Sequence, residues 1–183
     1  MLRRREKRRL KDIEFKPGDV VIDVGANDGG TTALLRSKGA VVHAFEPQPV
    51  VFNQLLKKFA GDPGVICYES AAWIFDGVIP LYCHETLTEA ASVYQGKRNV
   101  DPNLRLEVPT IDLAQFVRDH APIKLLYVNA EGAEYELIRH LCDTGSVWHI
   151  EHVIVSTHRK KIAGIEDIVA AARISAGRHG IRL

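Results

Sequence analysis

Long apolar runs are missing from this sequence. No stretch approaches the roughly 20 consecutive apolar residues that a membrane span needs, and the basic start is not followed by the apolar core of a secretion signal. Cysteine is scarce: Cys67, Cys83 and Cys142 are odd in number, far apart and without Cys-x-x-Cys spacing. Neither a disulfide framework nor a zinc site is therefore expected, and three thiols among apolar neighbours read as small core residues. These absences point to a cytoplasmic protein. An excess of one charge is lacking too, since 24 basic residues against 23 acidic ones leave +1. No global field argues for nucleic acid or a membrane surface as partner. His149 and His152 stand three apart, a spacing that a strand splits between its faces, so they make no metal pair and no metal is expected. Internal repeats and low-complexity tracts are absent.

What is present is enough for one domain with a sizeable core: 183 residues, 46% hydrophobic and 26% charged. Arg3, Arg4, Arg5, Lys7, Arg8, Arg9 and Lys11 crowd the start, and residues 1–12 read as a basic, solvated tail ahead of a single domain over 13–183. Val20–Val24 is a β-branched run with the composition of a strand buried on both faces. A glycine-rich turn and a short helix from Thr31 to a stop at Gly39 follow. Val41–Phe45 is a second strand with Glu46 at its tip, then come an amphipathic helix over Pro49–Phe59 and a third strand at Val65–Tyr68. Residues 74–109 change character and read as an insert or lid. Asp76-Gly77 signals a hairpin, Val78–Cys83 and Arg105–Val108 an antiparallel pair, and Thr86–Asn103 an ordered loop. The βα alternation then resumes, with a helix capped by Asp112, a strand at Ile123–Val128, a helix at Glu134–Cys142, a strand at His152–Ser156 and a helix at Ile165–Ala176. Ile181–Leu183 reads as the start of one more strand. Repeated βα units with right-handed crossovers predict an α/β fold with a doubly wound, mostly parallel sheet.

A strand, a glycine turn, a helix and a second strand tipped by an acid make a nucleotide-binding half-site. A P-loop is excluded, because no lysine follows Gly29 or Gly30. The dinucleotide fingerprint fails at its second glycine, where Asn27 stands, which disfavours an NAD-dependent oxidoreductase. What remains is Asp23-x-Gly25-x-x-x-Gly29, a turn suited to a ligand without phosphates. S-adenosylmethionine meets that description: its ribose diol wants a carboxylate such as Glu46, and its ammonium wants acceptors such as Asp23 or the Gly25 carbonyl.

Four blocks carry a more specific likeness: Ile22-Asp23-Val24-Gly25-Ala26-Asn27-Asp28-Gly29, Ala44-Phe45-Glu46-Pro47, Val108-Pro109-Thr110-Ile111-Asp112-Leu113, and Ile123 through Glu134. In this order they resemble the FkbM family of S-adenosylmethionine-dependent methyltransferases. The resemblance implies a Rossmann-like class I methyltransferase fold and methyl transfer, usually to a hydroxyl oxygen of a small molecule or saccharide. Carried onto matching positions, it implies that Asp23, Gly25, Ala26, Asn27, Asp28 and Gly29 form the cofactor turn. Glu46 would hold the ribose, and Ser70 and Ala71 would lie along the adenine.

The strand-four tip departs from the family pattern, with Tyr127 in place of a lysine and Asn129 in place of an aspartate. Asn129 can hydrogen-bond the cofactor but cannot act as a base. Glu131 is then the candidate acid–base residue, His158 past strand five is a second, and Glu134 reads as a first-turn helix acid. Ser92–Lys97 resembles the family's substrate-covering segment, which makes Tyr94 and Lys97 candidate acceptor contacts and adds Lys97 to the catalytic candidates. A non-catalytic S-adenosylmethionine-binding or interaction domain is the alternative that Asn129 keeps open. The C-terminal strand hairpin of a complete class I sheet also reads as incomplete. Either the chain is cut short, or it is naturally short and a dimer contact or partner covers that sheet edge.

Overall fold

Both faces of one parallel sheet carry apolar side chains in strict alternation, and this builds the molecule. The computed structural model describes residues 3–84, 91–158 and 162–183. Its strands and helices run α1 (Arg4–Lys11), β1 (Val20–Val24), α2 (Gly30–Arg36), β2 (Val41–Phe45), α3 (Pro49–Lys58), β3 (Val65–Tyr68), β4 (Ala71–Trp73), β5 (Gly77–Tyr82) and β6 (Arg105–Asp112). They continue with α4 (Leu113–Asp119), β7 (Ile123–Val128), α5 (Glu134–Asp143), a 3-10 turn (Ser146–His149), β8 (Ile150–Val155) and α6 (Glu166–Arg178). The main sheet has five parallel strands in the order β3-β2-β1-β7-β8, the doubly wound arrangement that the sequence predicts.

Along β1, Ile22 and Val24 join the core under α4 and α5, while Val21 joins Leu35 of α2 on the opposite face. In β7, Leu126 and Val128 point to the first face and Leu125 and Tyr127 to the second, and Ile123 at the start of the strand packs into the first cluster. Two covered faces explain why these strands read as unbroken apolar runs rather than as alternating ones. The insert forms a three-stranded sheet in the order β4-β6-β5. Its β5–β6 pair is antiparallel, as expected for Val78–Cys83 and Arg105–Val108, with Ile79 opposite Val108, but the Asp76-Gly77 turn closes no hairpin, because β6 lies between β4 and β5. Asp112 caps α4 by accepting the Ala114 and Gln115 amides at 2.8 and 3.2 Å. No helix among the described residues is long and apolar enough to cross a membrane.

Two expectations are corrected. Residues 4–11 are not a solvated tail but helix α1, with Leu10 packed beside Ile13, Leu125 and Tyr127. Its buried Glu6 accepts the Arg3 amide at 2.7 Å and the Tyr127 hydroxyl at 3.3 Å. Ile181–Leu183 does not begin a strand. Gly180 turns left-handed at φ 70°, the Ile181 amide bonds back to the Ala176 carbonyl at 3.0 Å, and Ile181 and Leu183 fold against the core. That is a helix-closing bond rather than the opening of an extended run. In the expected loop, residues 85–90 lie outside the described residues.

Candidate active site

Parallel strands that end together leave a crevice at their carboxyl ends where the connections diverge. Here it lies over the tips of β1, β2 and β7. Its lining includes Gly25, Asn27, Glu46, Gln48, Ala71, Ser92, Val93, Asn129 and Glu131. The β1 turn is drawn against β7, with the Asn129 amide bonded to the Val24 carbonyl at 2.9 Å. Gly25 has φ 78°, and a Cβ there would run into the Asn129 backbone carbonyl. Glycine is thus required by the approach of two backbones.

Glu46 is 4% exposed, with the Asn27 amide on Oε2 at 2.9 Å and the Gln48 amide on Oε1 at 3.0 Å. Burial pushes its carboxyl up to about 7 against the pull of those two amides. The turn before it keeps its donors to itself. The Gly25 and Ala26 amides bond the Phe45 carbonyl, Asp28 N–H bonds Asn27 Oδ1, Gly29 N–H bonds the Ala26 carbonyl, and Gly30 N–H bonds Asp28 Oδ1. Every amide from Gly25 to Gly30 that a phosphate cradle would need is engaged or lies in the helix start. The Gln48 Oε1 and Ser70 Oγ atoms, by contrast, are buried with no hydrogen-bond partner among the described residues.

Several residues read as cofactor contacts lie elsewhere. Asp23 alternates onto the α2 face, fully buried, where its Oδ2 accepts the Thr32 hydroxyl at 2.7 Å. Burial pushes its carboxyl up to about 6. Period two, which puts Val24 on the other face, takes the Asp23 side chain away from the crevice lining. Ala26 packs with Ala44, Phe52 and Leu55. Asp28 is exposed and caps Gly30, and Gly29 makes room for Phe59 and Leu55, whose atoms would sit 2.6 and 2.8 Å from an added Cβ. Ser70 is buried but outside the lining, while its neighbour Ala71 is part of it.

The three catalytic candidates come together. Glu131 sits in the crevice wall with φ 48°, a conformation that a non-glycine residue adopts only when its surroundings hold it. Lys97 Nζ lies 2.8 Å from Glu131 Oε2, its side chain 1% exposed, and His158 Nε2 lies 3.3 Å from Oε1. Lys97 reaches the site as an ion-pair partner of Glu131, and Ser92 Oγ donates to the Glu131 carbonyl at 2.8 Å. The Tyr94 hydroxyl is buried, which is not the position of an open acceptor contact.

The methyltransferase FkbM domain profile matches residues 23–170. The chain belongs to the FkbM methyltransferase family. A 45-residue segment is 56% identical to 31-O-demethyl-FK506 methyltransferase FkbM of Streptomyces tacrolimicus, taking in 24% of this chain and 17% of that protein. The crystal structure of methyltransferase FkbM from Methylobacillus flagellatus shares the fold, with a TM-score of 0.55 over 88% of this chain and 39% of that one at 11% identity. A TehB-like SAM-dependent methyltransferase from Corynebacterium glutamicum overlaps 91% of this chain and 70% of its own, with a TM-score of 0.47 and 10% identity. The chain therefore spans less than half the length of the two FkbM relatives that it matches.

In this FkbM domain, Gln48 and Glu134 are site residues that the sequence marks only faintly. Nothing marks Gln48 except its place two residues after the strand-tip acid. Glu134 is visible in the Glu-Gly-Ala-Glu block, but a helix-start acid has a local explanation that conceals its longer reach.

Proposed function

We propose that this FkbM domain binds S-adenosylmethionine in the crevice over β1, β2 and β7 and methylates a hydroxyl oxygen of a small molecule or saccharide. The observation that carries the reading is Glu46. A carboxylate has about four acceptor positions, and the Asn27 and Gln48 amides take one on each oxygen. The remaining positions suit the two hydroxyls of a ribose. Gln48 Oε1, a buried acceptor in the crevice wall with no partner among the described residues, suits a further donor of the nucleoside. Asn129 and the Gly25 turn lie where the amino-acid end would rest. The internally bonded glycine turn fits a ligand without a pyrophosphate, which favours this cofactor over NAD.

When bound, S-adenosylmethionine supplies an electrophilic sulfonium methyl group. The chain supplies alignment and a destination for the acceptor's proton. Asn129 cannot take that proton, so the role falls to Glu131, the wall carboxylate, with Lys97 paired to one oxygen and His158 Nε2 facing the other. The name of the Streptomyces relative, a 31-O-demethyl-FK506 methyltransferase, supports an oxygen acceptor.

Calorimetric titration with S-adenosylhomocysteine and, separately, with NAD is the test. Saturable heat with the former alone is expected, and none with it removes the proposal. Methyl transfer is then assayed on a panel of hydroxyl compounds, where Glu131→Gln should lower turnover about 100-fold or more, the range for a positioned acid–base group. Undiminished turnover would take Glu131 out of the chemistry.

A further inference from the structure

We propose that Glu134, which does not line the crevice, is a positioning residue that fixes the tautomer of His158 so that its Nε2 faces Glu131 as a proton acceptor. The inference rests on the methyl-transfer reading above.

Glu134 is the first residue of α5 and is fully buried. Its carboxylate reaches past its own helix. Oε2 accepts the Gly132 amide and Oε1 the His158 amide, both at 2.6 Å. One side chain thereby ties the turn after β7 to the tip of β8, and that turn holds the left-handed Glu131 at φ 48° and Gly132 at φ 121°. The His158 ring, 5% exposed overall, brings Nδ1 to 3.3 Å from the same Glu134 Oε1. A carboxylate can only accept, so the hydrogen belongs on Nδ1. From the other side, an Arg3 guanidinium nitrogen lies 3.1 Å from Nε2, and a guanidinium can only donate. Glu134 and Arg3 select the same neutral ring, with a hydrogen on Nδ1 and a lone pair on Nε2; the Glu131 carboxylate at 3.3 Å would favour Nε2–H, and the nearer guanidinium opposes it.

That lone pair also lies 3.3 Å from Glu131 Oε1. Two acceptors facing each other make room for one proton between them. When the acceptor hydroxyl is methylated its O–H bond breaks, the electron pair stays on oxygen, and the proton passes to Glu131 Oε1. Transfer on to His158 Nε2 breaks the Arg3 hydrogen bond to that lone pair, forms the Nε2–H bond and returns Glu131 to its ionised form beside Lys97. The imidazolium so formed stands between the Glu131 and Glu134 carboxylates, each 3.3 Å from a ring nitrogen. With the opposite tautomer, Nε2–H would point at Glu131 and accept nothing.

The test reads the ring directly, by nitrogen NMR of 15N-histidine-labelled protein at pH about 8, with His158→Ala assigning the signal. A neutral Nδ1–H ring is expected in the unsubstituted protein. A ring carrying hydrogen on Nε2 overturns the proposal, whether or not any variant folds. In Glu134→Gln, which offers one acceptor oxygen and turns an amide donor toward the other N–H, the Nδ1–H signature should be lost. Its kcat should fall about 10- to 100-fold, as for loss of an orienting outer-shell group, with KM for S-adenosylmethionine within about twofold. The loss in His158→Ala/Glu134→Gln should be well short of the product of the two single losses. An unchanged ring signal in folded Glu134→Gln, or fully multiplicative losses, also overturns it. The S-adenosylhomocysteine titration stands apart from these measurements, so failure of the cofactor reading shows as absent heat with the ring state intact.

Discussion

If Glu46 holds the ribose as proposed, it sets binding against stability within one side chain. Its carboxyl has an ordinary value of 4.5 and is pushed up to about 7 by burial. The folded state therefore holds the proton more tightly than the unfolded chain, and the stability this gives is complete below pH 4.5 and lost as pH rises through about 7. At about 1.4 kcal/mol per unit, the loss is at most about 3–4 kcal/mol. Asp23, pushed up to about 6, acts with the same sign at lower pH. His43, pushed down to about 4 by burial and by His120, acts oppositely and adds stability as pH rises toward 6.5. A comparison with Glu46→Gln isolates the carboxylate. The unfolding midpoint of the ligand-free protein should drop between pH about 5 and 8, and drop less in Glu46→Gln. Over the same range affinity for S-adenosylhomocysteine should rise about tenfold, because an ionised acceptor makes the stronger hydrogen bonds to ribose hydroxyls. Affinity that stays flat across pH 7 would show that Glu46 does not hold the ribose.

Elements were legible where local chemistry and tertiary packing agree. Val20–Val24 and Ile123–Val128 are apolar on both faces and could only be central strands, and a carboxylate placed after Phe45 had to stand at a strand tip. The side-chain directions inside those elements were harder to read. Asp23 looked like a ligand contact because it precedes the glycine turn, yet the pleat sends it to Thr32. Helix α1 was hidden because only Glu6 and Leu10 of its residues are buried, too little to show as a period against six basic neighbours. The glycine turn was legible as a turn, but the reason for each glycine was not. Gly25 at φ 78° faces a backbone carbonyl that cannot yield, whereas Gly29 at φ 74° faces the ends of the Phe59 and Leu55 side chains. Both substitutions by alanine strain a left-handed residue, at about 1–2 kcal/mol. Gly25→Ala adds a backbone collision and should cost about 4 kcal/mol or more, the range reserved for a displaced framework. Urea unfolding of the two variants should rank them in that order. Equal costs would mean that the β1 and β7 tips can separate without penalty.

At the scale of the whole molecule, a parallel sheet of five strands has two edges, and the β8 edge is the one where the sequence calls for a partner or a second copy. Helix α1 reaches this edge. Arg9 donates to the Val153 carbonyl at 2.6 Å and Arg3 to the Thr157 carbonyl at 3.2 Å, while the β7 ladder uses the alternate residues, with the Ser156 amide on the Val128 carbonyl at 2.8 Å. Side-chain guanidinium groups thus occupy outward carbonyls that another strand would seek, a familiar way of blunting an edge. Leu10, 3% exposed, anchors the helix that delivers them. Leu10→Asp would bury an unpaired charge, so it should undock α1 and lower stability by a few kcal/mol. With the edge carbonyls released, sedimentation velocity should show association that grows with protein concentration, beyond that of the unsubstituted chain. Arg3 leaves His158 Nε2 in the same event, so the ring signal of His158 should shift along with the sedimentation. A variant that loses stability but keeps its sedimentation coefficient at every concentration would show that α1 packs on the sheet without guarding its edge.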